Sequence, residues 1–285
     1  MRKYSIPILI MILIAGIGFW LIFLPVSPGQ NGEVQFSVKK GEGSKDIALN
    51  LRKNNLIRSE IAFRTYVLVR GVAGDLKAGE YQLSPAMNVP EIADKLVKGD
   101  VIKISVTIPE GWTQQQIEEK LGLELPGENL EGFLFPDTYQ FPFGFSGQEV
   151  VDKMQDNFEE KMTLSLREEI ERQGKTIFEI VTMASLIEKE VYNTPECPDC
   201  KGLVSGILWK RLKIGMPLQV DAERWTYDNL GLPLKPICNP GLESIMAAVY
   251  PEDSDYWYYL STPEGETIFS KTLEEHNLAK AQHLE

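Results

Sequence analysis

Ile6 to Leu24 is an almost unbroken apolar run, about as long as a helix needs to cross a bilayer. Arg2 and Lys3 precede it, and Pro25, Ser27, Pro28, Gly29, Gln30 and Asn31 follow as a polar stretch that breaks a helix. Positive residues stay on the cytoplasmic side of a membrane. The pattern predicts a cytoplasmic stub over 1–4, a single-pass anchor over 5–25 in the cell (inner) membrane, and the remaining chain outside the cytoplasm. A cleaved signal peptide competes with this reading, but the run is long for a signal and no small-x-small site closes it.

The 285 residues leave room for such an anchor plus one or two compact domains. A net charge of −12 and a pI near 4.9 argue against a nucleic-acid backbone as partner.

Beyond the anchor, residues 34–104 read as a small α/β unit. Val34, Phe36 and Val38 alternate as a strand, and Ser44 is placed to cap a helix carrying Ile47, Leu51 and Leu56. Ile61 to Val69 reads as a second helix, and Tyr81 and Leu83 as a strand. Asn88 is placed to cap a third helix that ends at Gly99. A related strand–turn–helix pattern returns over Val106 to Leu121, with Thr113 as its cap.

From Gly132 the composition changes. Glu131 to Phe141 is aromatic and proline-bearing, more like a structured loop or edge strand than a helix. Helices are predicted from Gly147 to Arg172, Thr176 to Tyr192 and Lys201 to Lys213. Tyr256–Ser261 and Thr267–Ser270 flank Pro263, Glu264 and Gly265 as a β-hairpin, and a last, short helix starts at Leu273. The predicted fold class is α+β, with a mixed catalytic domain over 105–285.

Several chemistries find little support. Two histidines, His276 and His283, and no G-x-S-x-G elbow leave serine-hydrolase chemistry without its parts. No phosphate-binding glycine loop is present, and no cofactor is implied. Cys197 and Cys200 lie three apart, with Cys238 alone. A local disulfide, free thiols and a metal site all remain open, although a zinc site would lack ligands; no metal is assigned.

A glutamate in an apolar helix stands out. At about 100° per residue, Ile177, Val181, Ala184 and Val191 project within roughly 60° of Glu188, while Glu190 points almost the opposite way. Burial on such a face disfavours the charged form of a carboxyl, as a proton donor to a leaving oxygen requires. Against this stands the plain reading of a glutamate salt-bridged to a lysine elsewhere. Gln219, Asp221, Asn239 and Asn277 supply amides and a carboxylate for sugar hydroxyl and acetamido groups. Trp112, Trp209, Trp225, Tyr227 and Trp257 are candidate stacking platforms, though any one of them is more often core.

Six motifs in order carry a resemblance. They are VTIPEGWT at Val106–Thr113, EGFLFPDTY at Glu131–Tyr139, ASLIEKE at Ala184–Glu190, RLKIGMPLQVD at Arg211–Asp221, PICNPG at Pro236–Gly241, and F-x-x-x-L-x-x-HN over Phe269–Asn277. Together they make the chain similar to the endolytic murein transglycosylase family (MltG, YceG-like). The resemblance implies a membrane-anchored enzyme with a LysM-like subdomain over 34–104, cutting peptidoglycan glycan strands between N-acetylmuramic acid and N-acetylglucosamine. It implies 1,6-anhydro-muramic ends, a role in limiting nascent strand length, and peptidoglycan synthases as partners. It puts the catalytic role on the first glutamate of ASLIEKE, Glu188. Val220 departs from the serine or threonine common there, and Asn193 to Gly202 looks unlike the usual connection. A hydrolytic muramidase, with Asp221 or Glu223 activating water, and a non-catalytic glycan-binding scaffold for synthases are the rival readings.

Overall fold

The computed structural model describes residues 23–29, 32–262 and 265–284. The predicted anchor falls almost wholly on residues 1–22, outside the described residues; among those described, no helix is long and apolar enough to cross a membrane. The architecture is mixed α+β, with eleven helices and three two-stranded sheets among the described residues. Two compact units divide the chain. The first takes in residues up to Ser105 together with Gln140–Phe145, and the second Val106–Tyr139 with the residues from Ser146 onward.

In the first unit, β1 (Val34–Val38) pairs antiparallel with β2 (Gly79–Leu83), Phe36 opposite Tyr81. Helices α1 (Ser44–Lys53), α2 (Glu60–Val69) and α3 (Val89–Lys98) complete it. Alternation along the strands and helical spacing send Phe36, Val38, Ile47, Leu51, Phe63, Tyr81 and Leu96 into one core. Asn88 closes a capping box with Glu91, as its spacing predicts. Ser44 is not a cap: Gly43 holds that position and offers no side chain.

β3 (Lys103–Thr107) and β4 (Thr138–Pro142) form the second sheet. Thr113 caps α4 (Gln114–Leu121) with Gln116 closing the box. The single helix expected from Gly147 to Arg172 is two, α5 (Gly147–Lys161) and α6 (Leu164–Arg172). The break falls at Met162 and Thr163, where the Thr163 hydroxyl accepts the Leu166 N–H and starts a new helix.

At the centre of the second unit lies α7 (Ile177–Glu190), capped by Thr176 and Glu179. It packs against α6, α8 (Cys200–Lys213) and α10 (Leu242–Val249). Every residue from Ile180 to Glu188 is buried, so the helix is enclosed on all sides and not along one stripe. It stops at Glu190, where Val191 turns to extended backbone. The short α9 (Trp225–Asp228) precedes α10. β5 (Tyr258–Ser261) and β6 (Thr267–Ser270) make the expected hairpin, and α11 (Leu273–His283) runs three turns, longer than anticipated.

Candidate active site

The two glutamates of ASLIEKE have different surroundings. Glu188 is 3% exposed. Its Oε2 accepts the Gly241 N–H at 3.0 Å, the Ser244 hydroxyl at 2.6 Å and the Lys201 ammonium at 3.5 Å. Lys201 is itself 3% exposed, so this is a buried ion pair tying α7 to α8 and to the start of α10. A group that donates a proton to a polymer has to reach it. Glu188 is enclosed, and its carboxyl is held by three donors. The lysine pairing of the plain reading is present.

Glu190 ends the same helix on the opposite side, where the chain leaves the core. Its Oε1 accepts the Ala222 N–H at 3.2 Å and its Oε2 the Tyr259 hydroxyl at 3.0 Å. Its carbonyl accepts the Ser261 hydroxyl at 2.9 Å, fixing the end of α7 to β5. Burial pushes the Glu190 carboxyl above the usual carboxylate range and the Asp221 charge adds to that, while the Ala222 N–H and Tyr259 hydroxyl pull the other way. Tyr259 is pushed well up by its own burial and by Glu190, so its phenol stays a donor.

Glu190 lines a cavity of about 330 Å³ together with Gln219, Asp221, Tyr227, His276 and Asn277. Three of the four residues expected to bind sugar therefore gather around Glu190. The loop that brings two of them is built by hydrogen bonds. The Thr226 hydroxyl accepts the Val220 N–H at 2.8 Å, the Thr226 carbonyl accepts the Gln219 N–H, and Gln219 takes a left-handed φ of 54°. Asp221 accepts the Tyr227 hydroxyl. Beneath the loop, the buried Arg211 guanidinium donates to the carbonyls of Leu218 and Trp257. Val220 is fully buried and presents no side chain to this cavity.

Asn239 lies elsewhere and has no polar atom to spare. Its Oδ1 accepts the N–H groups of Gly132 and Leu134 at 2.8 and 2.9 Å, and its Nδ2 donates to the Trp112 carbonyl and Glu131 Oε1, both at 3.0 Å. Both lone pairs and both protons are used. Asn239 thus knots three of the sequence motifs together. The approach is close: a Cβ at Gly132, whose φ is 90°, would lie 2.6 Å from Pro236.

Glu190, His276, Tyr259 and the Ala222 N–H carry no site signal in the sequence: the projection turns Glu190 away from Glu188, and His276 figures there only in the exclusion of a serine hydrolase and as part of a motif. His276 is 8% exposed, stacks on Tyr258 at 5.2 Å, and has a buried Nδ1 without a partner. Burial, then the charges of Lys280 and Arg211, lower its pKa, which keeps it neutral near pH 7. Of the candidate platforms, Tyr227 lines the cavity, whereas the Trp209 indole donates to the Ala248 carbonyl beneath the Lys175 ammonium. Cys197 and Cys200 are joined as a disulfide, and Cys238 is free and buried.

A mixed fold in which three of the six sequence motifs line one carboxyl-bearing cleft is matched by the YceG-like family model over residues 36–224 and 225–282, and the chain belongs to that family. It is similar to a Bacillus subtilis (strain 168) protein named endolytic murein transglycosylase, 28% identical over 91% of this chain and 87% of that protein. Two Streptococcus pneumoniae proteins of the same name are 24% and 23% identical over 92% of this chain. The chain spans 60% of their length. Among solved structures, a crystal structure of a YceG-like protein from Listeria monocytogenes matches with a TM-score of 0.55 and 29% identity, covering 87% of this chain and 99% of that one.

Proposed function

We propose that this protein is a lytic transglycosylase that cleaves within peptidoglycan glycan strands, with Glu190 as its acid and then its base. The carrying observation is the position of Glu190: a carboxyl resistant to ionisation, lining a polar cleft with Gln219, Asp221 and Asn277. Protonated Glu190 donates to the glycosidic oxygen as C1 of the muramic residue gains oxocarbenium character, and that bond breaks. The N-acetyl oxygen of the same sugar assists, in place of the second carboxylate used by most glycosidases. Ionised Glu190 then takes the proton of the muramic 6-hydroxyl, whose oxygen closes on C1. No water is consumed, and the new end is a 1,6-anhydro sugar.

The Ala222 N–H and Tyr259 hydroxyl support both halves of this cycle, since each stabilises the carboxylate after the first proton transfer and holds its orientation. Gln219 and Asn277 are the sugar-binding amides in this reading, with Asp221 beside them. The single-pass anchor over 5–25, an extracytoplasmic location, and peptidoglycan synthases as partners belong to the same proposal. They rest on the Ile6–Leu24 run, its basic flank and the family resemblance. For a LysM-like, glycan-binding first unit, the support is the order β1–α1–α2–β2 with its two strands paired.

The test is mass spectrometry of uncrosslinked glycan strands treated with the full chain in detergent, beside Glu190→Gln. Anhydro-muramic ends that vanish in the variant are the expected result. Near-normal cleavage by Glu190→Gln would overturn the assignment. Reducing ends would make the enzyme a muramidase, and strand retention without cleavage would leave a scaffold.

A further inference from the structure

A second cavity, of about 400 Å³, is lined by Glu131, Ala222, Glu223, Trp225, Leu234 and Lys235, among others. It shares a wall with the cleft just described. Ala222 lines the second cavity while its N–H binds Glu190, and the adjacent Asp221 lines the first. The segment Asp221–Glu223 thus separates two hollows, with the proton-transferring carboxyl held on that same segment.

The lining suits a sugar. Trp225 is partly exposed and offers an aromatic face, and Leu234 on the rim is 87% exposed. Glu131 is half-buried, with its Oε1 taken by Asn239 Nδ2 and by the Gln114 N–H that Oε2 shares. It thereby keeps acceptor capacity on Oε2 for a hydroxyl. Lys235 contributes a cation within electrostatic reach of Glu131. Cutting inside a strand requires sugars to be bound on both sides of the broken bond, and the two adjoining hollows offer a place for each.

We propose that the Trp225 cavity is a second glycan subsite, holding an N-acetylated sugar of the same strand beyond the bond that Glu190 cuts. It rests on the reading of Glu190 as the proton-transferring group. The sugar face stacks on the Trp225 indole, a hydroxyl donates to Glu131 Oε2, and Lys235 faces the lactyl or stem-peptide carboxylates of the strand. Neither Trp225 nor Lys235 belongs to the motifs that carry the family resemblance, so this subsite sets how this chain grips its strand and not the chemistry it performs.

The experiment measures kcat and KM of the full chain in detergent on uncrosslinked glycan strands, for the native protein, Trp225→Ala, Trp225→Phe and Leu234→Asp. Loss of one aromatic contact predicts a KM raised roughly three- to tenfold in Trp225→Ala, with kcat little changed and most of the loss restored by Trp225→Phe. Leu234→Asp, at an exposed site that cannot unfold the protein, raises KM in the same way. Strand binding is measured in parallel in the Glu190→Gln background, where no cleavage interferes. Weaker binding on adding Trp225→Ala supports the subsite even if Glu190 proves not to be the acid. Unchanged KM and unchanged binding in both Trp225→Ala and Leu234→Asp overturn the subsite while leaving the assignment of Glu190 standing.

Discussion

Lys201 Nζ stands 3.5 Å from Glu188 Oε2, and neither side chain is more than 4% exposed. Each charge has been removed from water, and each is compensated chiefly by the other, with Gly241 and Ser244 supplying the remaining hydrogen bonds to the carboxylate. Removing one partner leaves the other buried and unpaired, at a cost of about 3–5 kcal/mol. Lys201→Met and Glu188→Gln should both lower the unfolding free energy read from chemical denaturation by that amount. The double replacement Glu188→Leu with Lys201→Met should recover much of the loss. Cleavage that survives in the folded fraction of Glu188→Gln, with its loss in fully folded Glu190→Gln, separates a structural glutamate from a catalytic one.

The pH dependence of cleavage follows from the groups around Glu190. The free enzyme must present Glu190 protonated, so activity falls as pH rises through a value above the usual carboxylate range, because burial raises it. Tyr259→Phe removes a hydrogen bond that favours the ionised form, and should move this alkaline limb to higher pH. Asp221→Asn removes a negative charge that disfavours ionisation, and should move it to lower pH. The pH profile of kcat/KM reads both directions, and a limb that stays fixed in both variants would assign it to another group.

Asn239 is expected to matter for stability and only through stability for binding. Asn239→Ala strands the N–H groups of Gly132 and Leu134 inside the protein, whereas the Trp112 carbonyl keeps the backbone N–H of residue 239. Unpaired buried groups of this kind cost about 1–3 kcal/mol each. An unfolding free energy lowered by at least about 2 kcal/mol is the expected result of denaturant titration, with KM for glycan strands unchanged in the protein that remains folded.

What was legible in the sequence was local. The capping boxes of Asn88 with Glu91 and Thr113 with Gln116, the alternation at Phe36 and Val38, and the β5–β6 hairpin all rest on neighbours a few residues apart. The break at Met162 was hidden because no proline or glycine marks it, and α10 because Gly241 caps it without a side chain. The choice between Glu188 and Glu190 is not legible from helical projection alone. A helical projection finds the buried face only when burial is one-sided, and α7 is enclosed all round: Met183 and Leu186, on the Glu190 side, are as buried as Val181 and Ala184. In a helix of that kind the useful signal is distance from its end. Glu190 is the last helical residue, followed by the buried Val191 and then by Tyr192, Asn193, Thr194 and Pro195, and so emerges beside the cleft.

The three cysteines differ in accessibility, and alkylation should resolve them. Cys197 and Cys200 are tied as a disulfide at the entrance to α8, one residue before Lys201. Cys238 is fully buried and its thiol is pushed up to about 12 by burial, so it stays protonated and unreactive in the folded protein. Iodoacetamide on the native, unreduced chain should label none of them. Reduction under folded conditions should open Cys197 alone to the reagent, since Cys200 is buried, and denaturation after reduction should add Cys200 and Cys238, each step counted by mass. Closing so short a loop stabilises by roughly 2 kcal/mol at most in the chain-entropy estimate. Reduction should therefore lower the unfolding midpoint modestly and leave the protein folded. A larger fall would mean that the loop from Asn193 to Cys200, whose Asn193 Oδ1 accepts the Lys201 N–H, is needed to keep the Lys201 ammonium against Glu188. Repeating the reduction in Lys201→Met separates the two cases, because the excess loss disappears there only if it acts through the ion pair.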